Sequence, residues 1–276
     1  MLLEFQVLGG IDLRDGDRDD LANILARPKR LALLAYLCLE GADGPVRRDT
    51  LLPVFWRESD EPHARAALNQ ALHVLRSSLG RDVLFTRGRD EVGVDFDVVR
   101  CDAVAFRRAL ESGDRQTALD LYVGDLLPGF HIDAPEFERW LEAERAALRA
   151  EALEAAVALG VAADRVEDPG RVVDAWRRAV EVAPESEAAV RGLVLALWRA
   201  GRRSAALNTY ESFAARLSEE YDVDPGDRLE TLIGRIRAGE VSPAGAEHGS
   251  RTSDGSGAII PDREPEPVRL AGERTL

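Results

Sequence analysis

The stretch His63-Ala64-Arg65-Ala66-Ala67-Leu68-Asn69-Gln70-Ala71-Leu72-His73-Val74-Leu75-Arg76-Ser77-Ser78-Leu79-Gly80 decides how the N-terminal part of this chain is read. On a helical wheel, Leu68, Leu72, Leu75 and Leu79 cluster on one side. Arg65, Asn69, His73 and Arg76 cluster on a neighbouring side, with Gln70 and Ser77 further round. Leucines at that spacing predict a helix from about His63 to Leu79, ended by Gly80, with one face packed on other elements. The other face offers guanidinium, amide and imidazole groups. Arginine pairs with guanine edges, asparagine or glutamine with adenine, and serine reaches phosphate. A polar stripe opposite a leucine stripe is also what any surface helix shows, so the neighbouring elements carry the decision.

Upstream, Pro28 opens a helix whose apolar set is Leu31, Leu34, Ala35, Leu37 and Cys38, and Gly41 ends it. Asp49 is expected to cap a second, short helix from Thr50 to about Trp56, with Leu51, Leu52, Phe55 and Trp56 apolar. Ser59-Asp60-Glu61-Pro62 separates it from the third helix. Downstream, Val83-Leu84-Phe85-Thr86 and Val92-Gly93-Val94 flank Arg87-Gly88-Arg89-Asp90-Glu91, which predicts a β-hairpin with a charged tip. At the start, Phe5, Val7, Ile11 and Leu13 alternate with polar or glycine positions around Gly9-Gly10. That pattern predicts two short strands joined by a turn, with a second turn at Asp15-Gly16-Asp17. Residues 1–98 therefore read as strands, three helices and a hairpin: a winged helix-turn-helix of α+β class.

A helix in the major groove with a hairpin on the backbone or minor groove is a standard docking geometry. The candidate DNA-binding residues are Arg47, Arg48, Arg65, Asn69, Gln70, His73, Arg76, Arg87 and Arg89. Arg47 and Arg48 precede the second helix, where phosphates commonly fall. For each arginine singly, a solvated surface charge is the competing reading.

The charge balance bears on this. The 276-residue chain has a net charge of −14, which taken whole argues against nucleic acid. Its distribution does not: Arg27 to Arg89 holds 11 basic and 7 acidic residues, a local excess of 4. A DNA-binding module needs a basic face rather than a basic chain.

The rest of the chain is expected to be all-α. Candidate helices are Asp102–Ser112, Arg115–Tyr122, Ala134–Leu159, Arg171–Val182, Glu185–Ala200, Ser204–Glu220 and Asp227–Ala238. Short connectors such as Ala183-Pro184 imply antiparallel neighbours. Ala175-Trp176 through Pro184 loosely echoes Thr209-Tyr210 through Ser218, at an offset of about 34 residues, the period of tetratricopeptide helix pairs. Trp176, Trp198 and Tyr210 either line a ligand groove of such repeats or belong to the core. The domains expected are 1–98, 99–240 and a disordered tail at 241–276, rich in Gly, Ser, Pro, Glu and Arg.

Several classes are disfavoured. No apolar run approaches the roughly 18 residues a membrane span needs, and no signal peptide is visible. Cys38 and Cys101 lie among apolar neighbours and read as reduced, buried side chains of a cytoplasmic protein. There is no Gly-rich phosphate loop, no Cys-x-x-Cys and no His-Glu-x-x-His, and His63, His73, His131 and His248 are scattered. Neither catalysis nor a metal or other cofactor is expected.

Three blocks carry a family resemblance: Arg27-Pro28-Lys29-Arg30-Leu31-Ala32-Leu33-Leu34-Ala35-Tyr36-Leu37; Arg48-Asp49-Thr50-Leu51-Leu52 with Phe55-Trp56; and Ala66 to Gly80. Downstream, Ala200-Gly201-Arg202-Arg203-Ser204-Ala205-Ala206-Leu207-Asn208-Thr209-Tyr210 and Leu217-Ser218-Glu219-Glu220-Tyr221-Asp222-Val223-Asp224-Pro225 add to it. Over roughly residues 1–240 the chain resembles the Streptomyces antibiotic regulatory protein family. The resemblance implies an OmpR-like winged helix that reads direct-repeat promoter sites in double-stranded DNA, with a homodimer on DNA as one arrangement. It also implies a tetratricopeptide-like bacterial transcriptional activator domain that contacts partners, including RNA polymerase. One departure is that Val74, Ser77 and Ser78 stand where relatives usually carry arginines, which implies fewer phosphate contacts. The expectation is a DNA-binding transcription regulator, an activator by resemblance. The competing expectation is a helical interaction scaffold whose winged helix no longer binds DNA.

Overall fold

Leu3 and Phe5 point the same way from a short strand and are both buried, and around them the first sheet is built. The computed structural model describes residues 2–14, 27–165 and 168–240; the turn expected at Asp15-Gly16-Asp17 and the tail at 241–276 lie outside them. Strand β1 (Leu3–Gln6) pairs antiparallel with β2 (Asp12–Arg14), Phe5 opposite Leu13. It also pairs in parallel with β6 (Val99–Cys101), Phe5 opposite Cys101. Sequence reading misses β6, because three residues of alternation are too few to stand out. Cys38 and Cys101 are both buried free thiols.

Between β1 and β6 the described residues form three helices and the hairpin. In α1 (Pro28–Glu40) every residue from Leu31 to Leu39 is buried, because no polar side chain interrupts that run. A helix apolar all round is a core helix. It stops at Gly41, where a Cβ would come within 2.2 Å of the Leu37 carbonyl oxygen.

Helix α2 (Arg48–Trp56) starts two residues earlier than the sequence suggests, and Asp49 is not its cap. The N-cap is Arg47, without a side-chain bond, and Asp49 lies inside the first turn. The cause is tertiary. Val46–Arg47 forms strand β3, antiparallel to β5 (Glu91–Val94), and the Arg48 N–H donates to the Asp90 carbonyl at 2.7 Å. The chain leaves that pairing directly into helix. Strand β4 (Leu84–Arg87) completes the hairpin, with Thr86 opposite Val92 and Arg87 opposite Glu91.

Helix α3 (Glu61–Leu79) buries Ala64, Leu68, Ala71, Leu72, Leu75 and Leu79. It begins at Glu61 rather than His63, because the Asp60 carboxylate accepts from the His63 N–H at 3.0 Å. That backbone bond, and then the His63 ring, hold the Asp60 carboxyl below its ordinary value of 3.8. A depressed folded pKa contributes stability above the ordinary value, and the contribution is lost as pH falls through the folded one. Asp60→Ala is therefore expected to lower the melting temperature near neutral pH but not at strongly acid pH, where both proteins carry no charge there. Equal losses at both pH values would contradict this.

Among the described residues seven helices follow: α4 (Asp102–Glu111), α5 (Arg115–Leu121), α6 (Pro135–Ala163), α7 (Pro169–Val182), α8 (Glu187–Arg199), α9 (Arg203–Tyr221) and α10 (Asp227–Arg237). Helices α6 to α9 pack each on the next, the tetratricopeptide-like arrangement. Trp176 is the eighth residue of α7 and Tyr210 the eighth of α9, in line with the sequence echo. They line no groove, however: Trp176, Trp198 and Tyr210 are only 7%, 4% and 8% exposed and belong to the core. The indole of Trp176 fills the space left by Gly160 on α6 and Gly192 on α8.

Residues 1–240 cluster as one unit, and two seams explain it. Beyond β1, the Gly9 N–H donates to Asp125 O at 2.9 Å and the Leu127 N–H to Val7 O at 2.7 Å. The Asp102 carboxylate, at the start of α4, accepts from the N–H groups of Val7 (2.9 Å) and Leu8 (3.0 Å). Burial pushes the Asp102 carboxyl above its ordinary range, against these backbone bonds, which pull it down. At the second seam α6 packs on α2, with Phe55 against Phe137, and Tyr36 of α1 lies against Trp140, ring centroids 5.4 and 4.7 Å apart. Trp140 Nε1 donates to Glu40 at 2.7 Å.

Candidate nucleic-acid interface

The buried leucines of α3 fix which side of the helix faces out. Arg65, Asn69, Gln70, His73 and Ser77 are all exposed on it. The start of α2 lies against this face. Arg48 Nη1 donates to Asn69 Oδ1 at 2.6 Å, and Arg65 Nη2 donates to Asp49 at 2.9 Å. The β3–β5 pairing then brings the hairpin alongside, so that Arg47 sits opposite Glu91 and next to the turn that carries Arg87 and Arg89. Residues spread over more than forty positions of sequence thus form one surface, built from α3, the β3–α2 junction and the hairpin.

Within it the nine candidates divide. Arg47, Gln70, His73 and Arg89 are exposed and make no side-chain hydrogen bond among the described residues. They are free to meet a partner. Arg65 is held by Glu61 and then Asp49, which raise its pKa, and Arg87 is held by Glu91 in the same way. Glu91 is in turn lowered by Arg87. These pairs are exposed and contribute little to stability, but they orient the guanidinium groups and neutralise part of their charge. Arg76 does something else: its Nε donates to Leu84 O at 3.1 Å, tying α3 to the first residue of the hairpin. Burial, and then the nearby Arg48, hold its pKa below the ordinary arginine value. Arg76 thus braces the hairpin from beneath the surface.

Sequence reading misses the carboxylates Asp49, Glu61 and Glu91. Two of them carry a usable signal, since Glu61–Arg65 and Arg87–Glu91 are four residues apart. The Asp49–Arg65 pair spans sixteen residues and follows only from the packing of α2 on α3. Among the described residues no group of three or more His, Cys, Asp or Glu side chains could hold a metal ion. No described helix is long and apolar enough to cross a membrane.

Residues 94–237 match the family described as the bacterial transcriptional activator domain. The chain is 30% identical over 275 residues to the regulatory protein AfsR of Streptomyces coelicolor, covering 94% of this chain and 26% of AfsR. It is 26% identical to the transcriptional regulatory protein MoaR1 of Mycobacterium bovis, covering 85% of this chain and 79% of MoaR1. The chain thus spans about a quarter of AfsR but most of MoaR1. In fold it is similar to Mycobacterium tuberculosis EmbR, solved in complex with a low affinity phosphopeptide, with TM-score 0.57 at 23% identity over 89% of this chain and 67% of that one. With an activator-domain match over half its length, on a winged-helix and helical-repeat fold, this chain belongs to the Streptomyces antibiotic regulatory protein family of transcriptional regulators.

Proposed function

We propose that the chain activates transcription by sequence-specific binding of double-stranded DNA, acting through binding and not catalysis. Residues 1–98 are the reader, and residues 99–240 contact protein partners, RNA polymerase among them. Two copies bind head-to-tail on a direct repeat. The observation that carries the reading is the exposed α3 face with Asn69, Gln70 and His73, flanked on one surface by Arg47 and the hairpin's Arg89. Amide and imidazole groups suit base edges, and the flanking guanidinium groups suit phosphates.

A second reading, a protein scaffold that does not bind DNA, draws on the carboxylates that already hold Arg65 and Arg87. Binding of the purified protein to upstream DNA and to a scrambled duplex, at several salt concentrations, separates the two. Specific binding is expected. Arg47→Ala and Arg89→Ala should weaken both duplexes alike and lower the salt slope by about 1 each. Gln70→Ala should instead weaken only the specific complex. No binding to either duplex at low salt would favour the scaffold.

A further inference from the structure

Arg48 is an unusual neighbour for a base-reading amide. Its Nη1 donates to Asn69 Oδ1 at 2.6 Å. An arginine carries donors only, so the amide atom turned toward it is the oxygen. A flip of the amide would set donors against donors. Arg48 is itself fixed: its backbone N–H is bonded to Asp90 at the hairpin, and its Nε is buried with no partner among the described residues. The Nε end of the guanidinium is buried and the residue half-buried, while Asn69 is exposed. The end of the amide turned away from Arg48 is therefore Nδ2, which only donates.

Asparagine reads adenine by using both ends at once, Oδ1 accepting from the N6 amino group while Nδ2 donates to N7. With Oδ1 drawn aside, the outward NH2 matches base edges that accept: guanine O6 and N7, or thymine O4. Adenine offers it one acceptor, N7, beside an N6 amino group that opposes it, and cytosine offers only its amino donor, whereas guanine offers two adjacent acceptors. We propose that Arg48 is a positioning residue that sets base preference, making Asn69 select keto-bearing bases (guanine, thymine) over amino-bearing ones. This rests on the DNA-binding reading above.

The test is selection of binding sites from a randomised duplex pool, followed by sequencing, with the full-length chain. Asn69→Ala locates the base that Asn69 contacts, as the position whose preference disappears. At that position the parent protein is expected to favour guanine or thymine by roughly fivefold or more. Arg48→Met keeps the packed stem without the donors, and should erase the discrimination and admit adenine. Asn69→Asp, whose oxygens only accept, should invert the preference toward cytosine and adenine. If Arg48→Met does not fold, the inversion by Asn69→Asp decides. A parent preference for adenine there, or an unchanged profile in a folded Arg48→Met, overturns the proposal and leaves DNA binding standing. Selection that recovers no motif with the parent protein removes both.

Discussion

Gly192→Ala is expected to destabilise the protein by roughly 3 kcal/mol, at the upper end of what overpacking a core costs. A Cβ at that position would lie 2.2 Å from Trp176 Cε3 and 2.4 Å from Cδ2, inside the ring rather than at a flexible tip. The indole cannot retreat. Gly160 crowds the same ring, since its own added Cβ would come within 2.7 Å of Cδ2 and Cε2. Trp176 thus packs against two neighbouring helices, each of which carries glycine where it meets the ring. Domains are stable by only about 5–15 kcal/mol, so the loss is a large fraction. Urea unfolding would measure it. A double-mutant cycle adds the mechanism: Trp176→Ala alone costs about 3–5 kcal/mol, and in that background Gly192→Ala should cost little, because its clash is gone. Additive losses would show that Gly192 matters for a reason other than the indole.

Asp102→Ala is expected to cost roughly 2–4 kcal/mol, because it leaves the N–H groups of Val7 and Leu8 without their acceptor at a half-buried seam. Asp102→Asn keeps an acceptor oxygen and should cost clearly less. Amide hydrogen exchange gives the location. Protection should fall first at Val7, Leu8 and Gly9, then in β1, while α7 to α9 keep theirs. A uniform loss, or no change in melting temperature, would contradict a role in fastening the N-terminal strand. The same seam bears on function, since it joins the sheet beneath the winged helix to the start of the activator domain. Under the proposed function, with RNA polymerase contacted through residues 99–240, Asp102→Ala should weaken activation more than DNA binding.

How much of this was legible beforehand varies with the range of the interactions. The helices of the activator domain are marked by their own apolar periodicity and by breaks such as Ala183-Pro184, and they form within a few residues of the expected bounds. The β4–β5 hairpin is equally local, set by two β-prone runs around Arg87 to Glu91. Errors fall where a remote partner decides. Asp49 reads as a cap because capping residues look alike in sequence; it became the partner of Arg65 once β3 paired with β5. Trp176, Trp198 and Tyr210 have a spacing that allows a groove although it more often marks a core, and their burial settled it, with Gly160 and Gly192 making room for Trp176.

The candidate interface shows the same division. The sequence alone determined which residue types line the outer face of α3, because the leucines at 68, 72, 75 and 79 leave only one side free. It also determined that a charged hairpin follows. What only the tertiary structure decided is what each of those residues is free to do. Arg47, Gln70, His73 and Arg89 remain unengaged among the described residues, whereas Arg65 and Arg87 are held by carboxylates, Arg76 braces the hairpin, and Arg48 orients Asn69. The physical reason is reach. Periodicity fixes direction from the local backbone, one turn at a time, but a guanidinium spans several ångströms and takes whichever acceptor folding brings near it.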